Sequence, residues 1–156
     1  MDASTLPKIT LSSPLVGLEI AAAALNKTTK QVSLMVAHRE LGPAWDLSLG
    51  NRMEVRILAH EVERFQNGEK SQLLNAPSLV GFIFPDAPIV RLGVIAKMRA
   101  AVIAHRFSVT PAHVLNLVNA GELELAPGAQ CRRGPTGSPE IRFTSVNAFL
   151  QRARFI

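Results

Sequence analysis

The hydrophobic pattern of the chain changes period several times and then runs through the same changes again. Residues 16–25, VGLEIAAAAL, are apolar and alanine-rich, a composition that favours helix. After a turn at Asn26, Lys27 and Thr28, the residues Val32, Met35, Val36 and Arg39 recur at helical spacing, and Gly42-Pro43 ends that element. Thr28 and Gln31 stand at capping-box spacing, which predicts that the threonine hydroxyl accepts from the Gln31 amide while the glutamine reaches back. From residue 44 the period drops towards two. Trp45, Leu47 and Leu49, then Gly50-Asn51, then Met53, Val55 and Ile57 predict two strands around a tight turn. A last helix over 60–66 puts Val62 and Phe65 on one face.

The back half repeats that order. Residues 91–105 predict a helix. Thr110-Pro111 is an N-cap followed by the residue best tolerated at the first helical position, Val114, Leu117 and Val118 form a stripe to be buried, and Gly121 supplies a stop. Residues 123–125 and 140–143 predict two strands, separated by a basic Gly/Pro-rich loop containing Cys131, Arg132 and Arg133; residues 145–154 predict the closing helix. Val32, Met35, Val36, Glu40 and Leu41 lie 82 positions before Val114, Leu117, Val118, Glu122 and Leu123, as Thr28 lies before Thr110 and Ile20 before Val102. Beyond the second helix the offset becomes 84, aligning Val62 with Val146 and Phe65 with Phe149. An insertion of that size belongs in the intervening loop, where length is cheap to change.

An internal duplication on this scale sets the architecture. The expected fold class is mainly α, of α+β type, with three helices and a two-stranded hairpin per unit. Residues 1–68 form the first unit, 69–90 a connecting or packing segment, and 91–156 the second unit. Within the connection, residues 66–75 are polar. Residues 79–90 are strongly apolar, broken by Pro85 and Pro88, so they pack between the units or cover a self-association surface.

With 156 residues, 47% of them hydrophobic, the chain can bury a genuine core as one domain or as two small ones sharing an interface. Apolar runs fall short of the ~20 residues of a membrane helix, and the start of the sequence has no secretory-signal pattern. One cysteine fits a reducing cytoplasm. The net charge of +5 is uneven: residues 1–68 hold seven basic and seven acidic residues, whereas 69–156 hold ten and five. A basic excess suggests a polyanionic partner. No Tyr and a single Trp argue against base stacking on single strands.

Helix, short turn, helix, two-stranded hairpin and closing helix is the order of a winged helix-turn-helix. The back half resembles the excisionase and MerR-type branch of that superfamily through Thr110-Pro111, Gly121-Glu122-Leu123, Arg132-Arg133, Arg142 and Ala148-Phe149-Leu150. The front half is similar through Thr28, Val32, Glu40-Leu41, Arg56 and Val62 to Phe65. The resemblance implies double-stranded DNA binding, with the second helix of a unit in the major groove and the hairpin, or wing, beside the backbone.

A capped helix start offers amides to phosphate, and its first turns reach base edges. The candidate readers are therefore Thr110, Ala112, His113, Asn116 and Asn119 behind, and Lys30, Gln31, Leu34 and Ala37 in front, with His38 nearby. Arg132, Arg133 and Arg142, with Arg52 and Arg56, are the wing candidates for phosphate or minor groove. DNA-binding members of the branch carry Arg or another long polar residue where this chain has Asn116 and Leu34. The back unit is accordingly expected to be the main reader and the neutral front unit a weaker or degenerate one. Trp45 is expected to anchor its wing on its own helices. No histidine pair has metal-ligand spacing, no nucleophile motif occurs, and neither a cofactor nor an enzymatic activity is expected. The reading is a transcriptional regulator or excisionase-like recombination accessory factor, with half-sites about 34 Å apart as for a dimer. The rivals are a protein-interaction module (adaptor, antirepressor or antitoxin-like) on the same fold and a plasmid replication initiator.

Overall fold

A computed structural model describes residues 13–49, 53–86, 95–128 and 139–156. The front half runs β1 (Leu15–Gly17), α1 (Leu18–Leu25), α2 (Thr29–Ala37), β2 (Ala44–Asp46), β3 (Val55–Leu58) and α3 (Ala59–Gln66). A short α4 (Val80–Ile83) follows. The back half runs β4 (Lys97–Arg99), α5 (Ala100–Phe107), α6 (Pro111–Asn119), β5 (Glu140–Arg142) and α7 (Phe143–Ala153). The fold is α+β, with seven helices and two small antiparallel sheets among the described residues.

The two halves repeat in backbone detail. In front, β3 is central, and Ile57 pairs with Val16 of β1 and Ala44 of β2. Behind, Ile141 of β5 pairs with Met98 of β4 and bridges to Leu125. Helix α1 ends on Asn26 in the left-handed region (φ 53°) and α5 on Ser108 (φ 54°), 82 positions later. The same offset relates Arg39 (φ 60°), beyond α2, to Gly121 (φ 81°), beyond α6. These turns reverse the chain so that α2 lies on α1, and α6 on α5. Thr28 and Thr110 both cap, their hydroxyls accepting from the amides of Gln31 and His113 at 3.1 Å, and Gln31 Oε1 accepts from the Thr28 amide at 2.9 Å to complete the capping box.

Two expected helices begin later than the pattern implied. Residues 15–17, ahead of α1, form a strand, and residues 97–99 form one ahead of α5, because each has a sheet edge to pair with; residues 91–94 lie outside the described set. The Gly50-Asn51 turn lies outside it as well.

One apolar cluster belongs to the front half and is built on Val32, Met35, Val36, Ile57 and Val62. The other spans both halves. Leu15, Trp45, Leu47 and Leu58 from the front join Ile103, Phe107, Val114, Leu117, Ile141, Val146 and Phe149 from the back. Burying each such large side chain contributes roughly 1.5–3 kcal/mol, so the halves share a substantial fraction of their stabilisation. Leu79, Ile83 and Phe84 of the connection are buried in the same cluster, Phe84 edge-on to Phe107 and Phe143. Trp45 therefore departs from expectation: it packs against α4 of the connection and α7 of the back half, and its backbone bridges to Arg154.

The polar stretch after α3 is held from below. Glu61 is fully buried, and its Oε2 accepts from the Gln72 amide at 3.0 Å while Arg64 lies 3.4 Å from its other oxygen. Directly after Gln72, the carbonyls of Leu73, Leu74 and Ala76 accept from the Arg154 guanidinium. Burial first, and the charge of Arg39 second, push the Arg154 pKa below its usual value. These contacts make Arg154 a structural cation.

Candidate nucleic-acid interface

The faces of α2 and α6 follow from their sequence. In α6 the 3.6-residue period turns Val114 and Leu117 inward and leaves Ala112, Asn116 and Asn119 exposed. Thr110 is exposed too, with its hydroxyl engaged as the cap. In α2, Val32, Met35 and Val36 are buried, and Lys30, Gln31, Ser33, Leu34 and Ala37 are exposed. Gln31 uses its side-chain oxygen in the capping box. Lys27 and Lys30 place positive charge at the start of α2, whereas α6 carries no Lys or Arg along its length.

Two sequence-derived contacts are assigned differently by the structure. His113 is half-buried, and its Nε2 donates to the Leu47 carbonyl at 2.6 Å, across the junction between the halves. Its imidazole therefore positions α6 against the front hairpin rather than facing outward. Arg56, expected as a wing contact, likewise turns inward, its side chain 14% exposed. Its Nε donates to the Phe107 carbonyl at 3.0 Å and its terminal nitrogens to Ser108 at 2.8 Å and Val55 at 3.0 Å, with Glu54 3.3 Å away. The end of α5 has carbonyls with no intrahelical partner, and a guanidinium satisfies them while meeting the negative end of the helix dipole.

Arg142 is half-buried at the start of α7, its Nε without a hydrogen-bond partner and its carbonyl accepting from Ser145 Oγ at 2.7 Å. Among the other cations of the back half, Lys97, Arg106 and Arg152 have carboxylate neighbours at 3.1, 3.1 and 3.2 Å, namely Glu140, Asp86 and Glu122. Such exposed pairs leave the charge available to a polyanion, because each is worth little in water. Arg52, Arg132 and Arg133, with Cys131, lie outside the described residues.

The front hairpin is organised by Asp46. Its Oδ1 accepts from the amides of Ser48 and Glu54, both at 3.1 Å, and the Leu47 amide donates to the Glu54 carbonyl at 3.0 Å. Burial opposes the charged carboxylate. Hydrogen bonds from the Ser48 hydroxyl and from the Glu54 and Ser48 amides outweigh that effect and hold the Asp46 pKa below its ordinary value. This hairpin, the Arg56 guanidinium and the start of α6 form one cleft, lined by Glu54, Arg56, Ser108, Val109, Thr110 and His113.

Sequence reasoning missed Leu47 and Ser108 as junction residues. The available signal for Ser108 was its correspondence with Asn26, both being residue types that tolerate or favour local turns. Among the described residues no group of three or more His, Cys, Asp or Glu could hold a metal ion, and no helix is long and apolar enough to cross a membrane. Comparison of the chain with protein-family models, with curated proteins and with solved structures found no match.

Proposed function

We propose that the chain is a sequence-specific double-stranded DNA-binding protein, a tandem winged helix-turn-helix regulator or recombination accessory factor. The observation that carries this reading is the repeated strand–helix–helix order closed by a strand and a last helix, with Leu125 making only a single bridge where the front half has β2, in which the second helix of each copy is threonine-capped and keeps an outer face exposed. A helix of that kind enters a major groove, its cap amides near phosphate and its outer residues near base edges. On α6 the reading residues are Asn116 and Asn119; asparagine is suited to two-point recognition of adenine. On α2, Lys30 supplies a phosphate contact. The positive balance of the chain supports the non-specific part of the affinity.

The test is selection of bound duplexes from a random pool, followed by titration of the selected duplex at several salt concentrations. Affinity is expected to fall steeply with salt. Lys30→Ala is expected to weaken binding to all sequences and to reduce the salt slope by about one. Asn116→Ala is expected to change the selected sequence at one position. Binding that ignores salt, or no duplex binding, would remove this reading. It would favour a protein-interaction module, for which the 50% exposed Leu34 on the outer face of α2 is the supporting observation.

A further inference from the structure

The junction between the halves is one-directional. If two equivalent units were related by a twofold axis, every contact would recur with the roles of the units exchanged. Arg56 of the front half donates to the Phe107 and Ser108 carbonyls of the back half. The residue equivalent to Arg56 is Glu140, which cannot donate and instead pairs with Lys97 at 3.1 Å. Ser108 Oγ donates to the Leu15 carbonyl at 2.6 Å, whereas its equivalent, Asn26, lies exposed. His113 bonds Leu47, whereas its equivalent, Gln31, closes the α2 capping box. Finally, the end of the back half extends the front sheet, Phe155 donating to Ala44 at 3.2 Å and Ala44 to Ile156 at 3.4 Å, while Lys70, equivalent to Arg154, is exposed. None of these contacts has its exchanged counterpart among the described residues. The units are joined head to tail.

DNA-binding pairs with twofold symmetry read inverted repeats because the symmetry of the protein matches that of the duplex. A head-to-tail pair has no such axis. We propose that this chain reads a non-palindromic site: two segments in the same orientation, at one spacing fixed by the Arg56, Ser108 and His113 contacts. The inference rests on the DNA-binding reading above, and it replaces the dimer-like arrangement of half-sites that duplication alone suggests. The shared core supports the fixed spacing, since Trp45, Leu47 and α7 cannot separate without exposing buried apolar surface.

The experiment uses the intact chain and changes only the DNA. The selected duplex is compared with one in which a single segment is inverted and with one in which about 5 base pairs, half a helical turn, are inserted between segments. The number of chains per duplex is measured by sedimentation. One chain per site, a selected sequence that is not self-complementary, and affinity lowered about tenfold or more by either alteration are the expected results. One chain bound to a self-complementary sequence, equal affinity for the inverted arrangement, or selection of a single short segment would each overturn the proposal while leaving DNA binding intact. Absence of salt-sensitive binding to any duplex would overturn the DNA-binding reading itself, and this proposal with it.

Discussion

Arg56→Met isolates the head-to-tail clamp. Methionine keeps much of the length and apolar contact of the arginine stem but removes all donors. The Phe107 and Ser108 carbonyls then lose bonds of 3.0 and 2.8 Å to a guanidinium that is only 14% exposed. A hydrogen bond involving a charged group contributes about 1.5–3 kcal/mol. The lower end applies, because Glu54 already shares the charge, and two bonds then give about 3 kcal/mol. For a chain of this size each kcal/mol moves the midpoint by about 2–4 °C, so scanning calorimetry should show a loss of about 6–12 °C. The control is Arg152→Met, whose partner Glu122 is also exposed; it should cost under about 1 kcal/mol. Because the second core cluster draws on both halves, the wild-type chain should unfold in one transition. A loss no larger than that of the control would refute the clamp, and two separable transitions in the wild-type scan would refute the shared core.

Asp46→Asn tests the hairpin. With a folded pKa below the ordinary value, Asp46 stabilises the fold above about pH 4 and loses that contribution as the pH falls through its folded pKa. Urea titrations should show wild type more stable than the variant near neutrality and the difference shrinking below about pH 4; a constant difference across that range would argue against the carboxylate. Gly121→Ala and Arg39→Gly test the matched left-handed turns. An added Cβ at Gly121 meets nothing within 4 Å, so the cost is conformational, about 1–2 kcal/mol. Arg39→Gly should be stabilising by up to about 1 kcal/mol, since it removes a side chain from φ 60°, and a clear destabilisation in chemical denaturation would show that the arginine contributes more than its backbone strain removes.

The second helices, their caps and the closing helices were legible because their signals are local: an apolar stripe, a threonine three residues before the amide that donates to it, a glycine after the last turn. The strands at 15–17 and 97–99 were not. Three residues are too few to establish a period of two, and VGLEIAAAAL reads continuously as apolar helix until a partner strand is known. Alternation correctly placed Trp45 and Leu47 on one face, but it cannot say which surface covers that face, and the cover comes from the other half. Arginines were the least legible of all. Arg56 and Arg154 look like surface cations in the sequence, and both turn inward to carbonyls at helix or loop ends that have no sequence signature.

The two copies differ at most aligned positions, and the differences at the one-directional junction have a structural reason. Conserving a buried stripe costs neither copy anything, and Val32, Met35 and Val36 accordingly match Val114, Leu117 and Val118. At the junction, by contrast, a donor is needed on the front strand and acceptors on the back turn. Arg56 faces its carbonyls, while Glu140 in the equivalent place takes an ion pair within its own unit. The same division explains His113 against Gln31. One side chain reaches the neighbouring hairpin and the other is bent back on its own cap. Had Glu140 been a second arginine, the back hairpin could dock on the α1–α2 turn of another chain, and a head-to-tail contact that does not close propagates into a filament. A carboxylate at that position, paired with Lys97 of its own unit, withholds the donors such a contact requires.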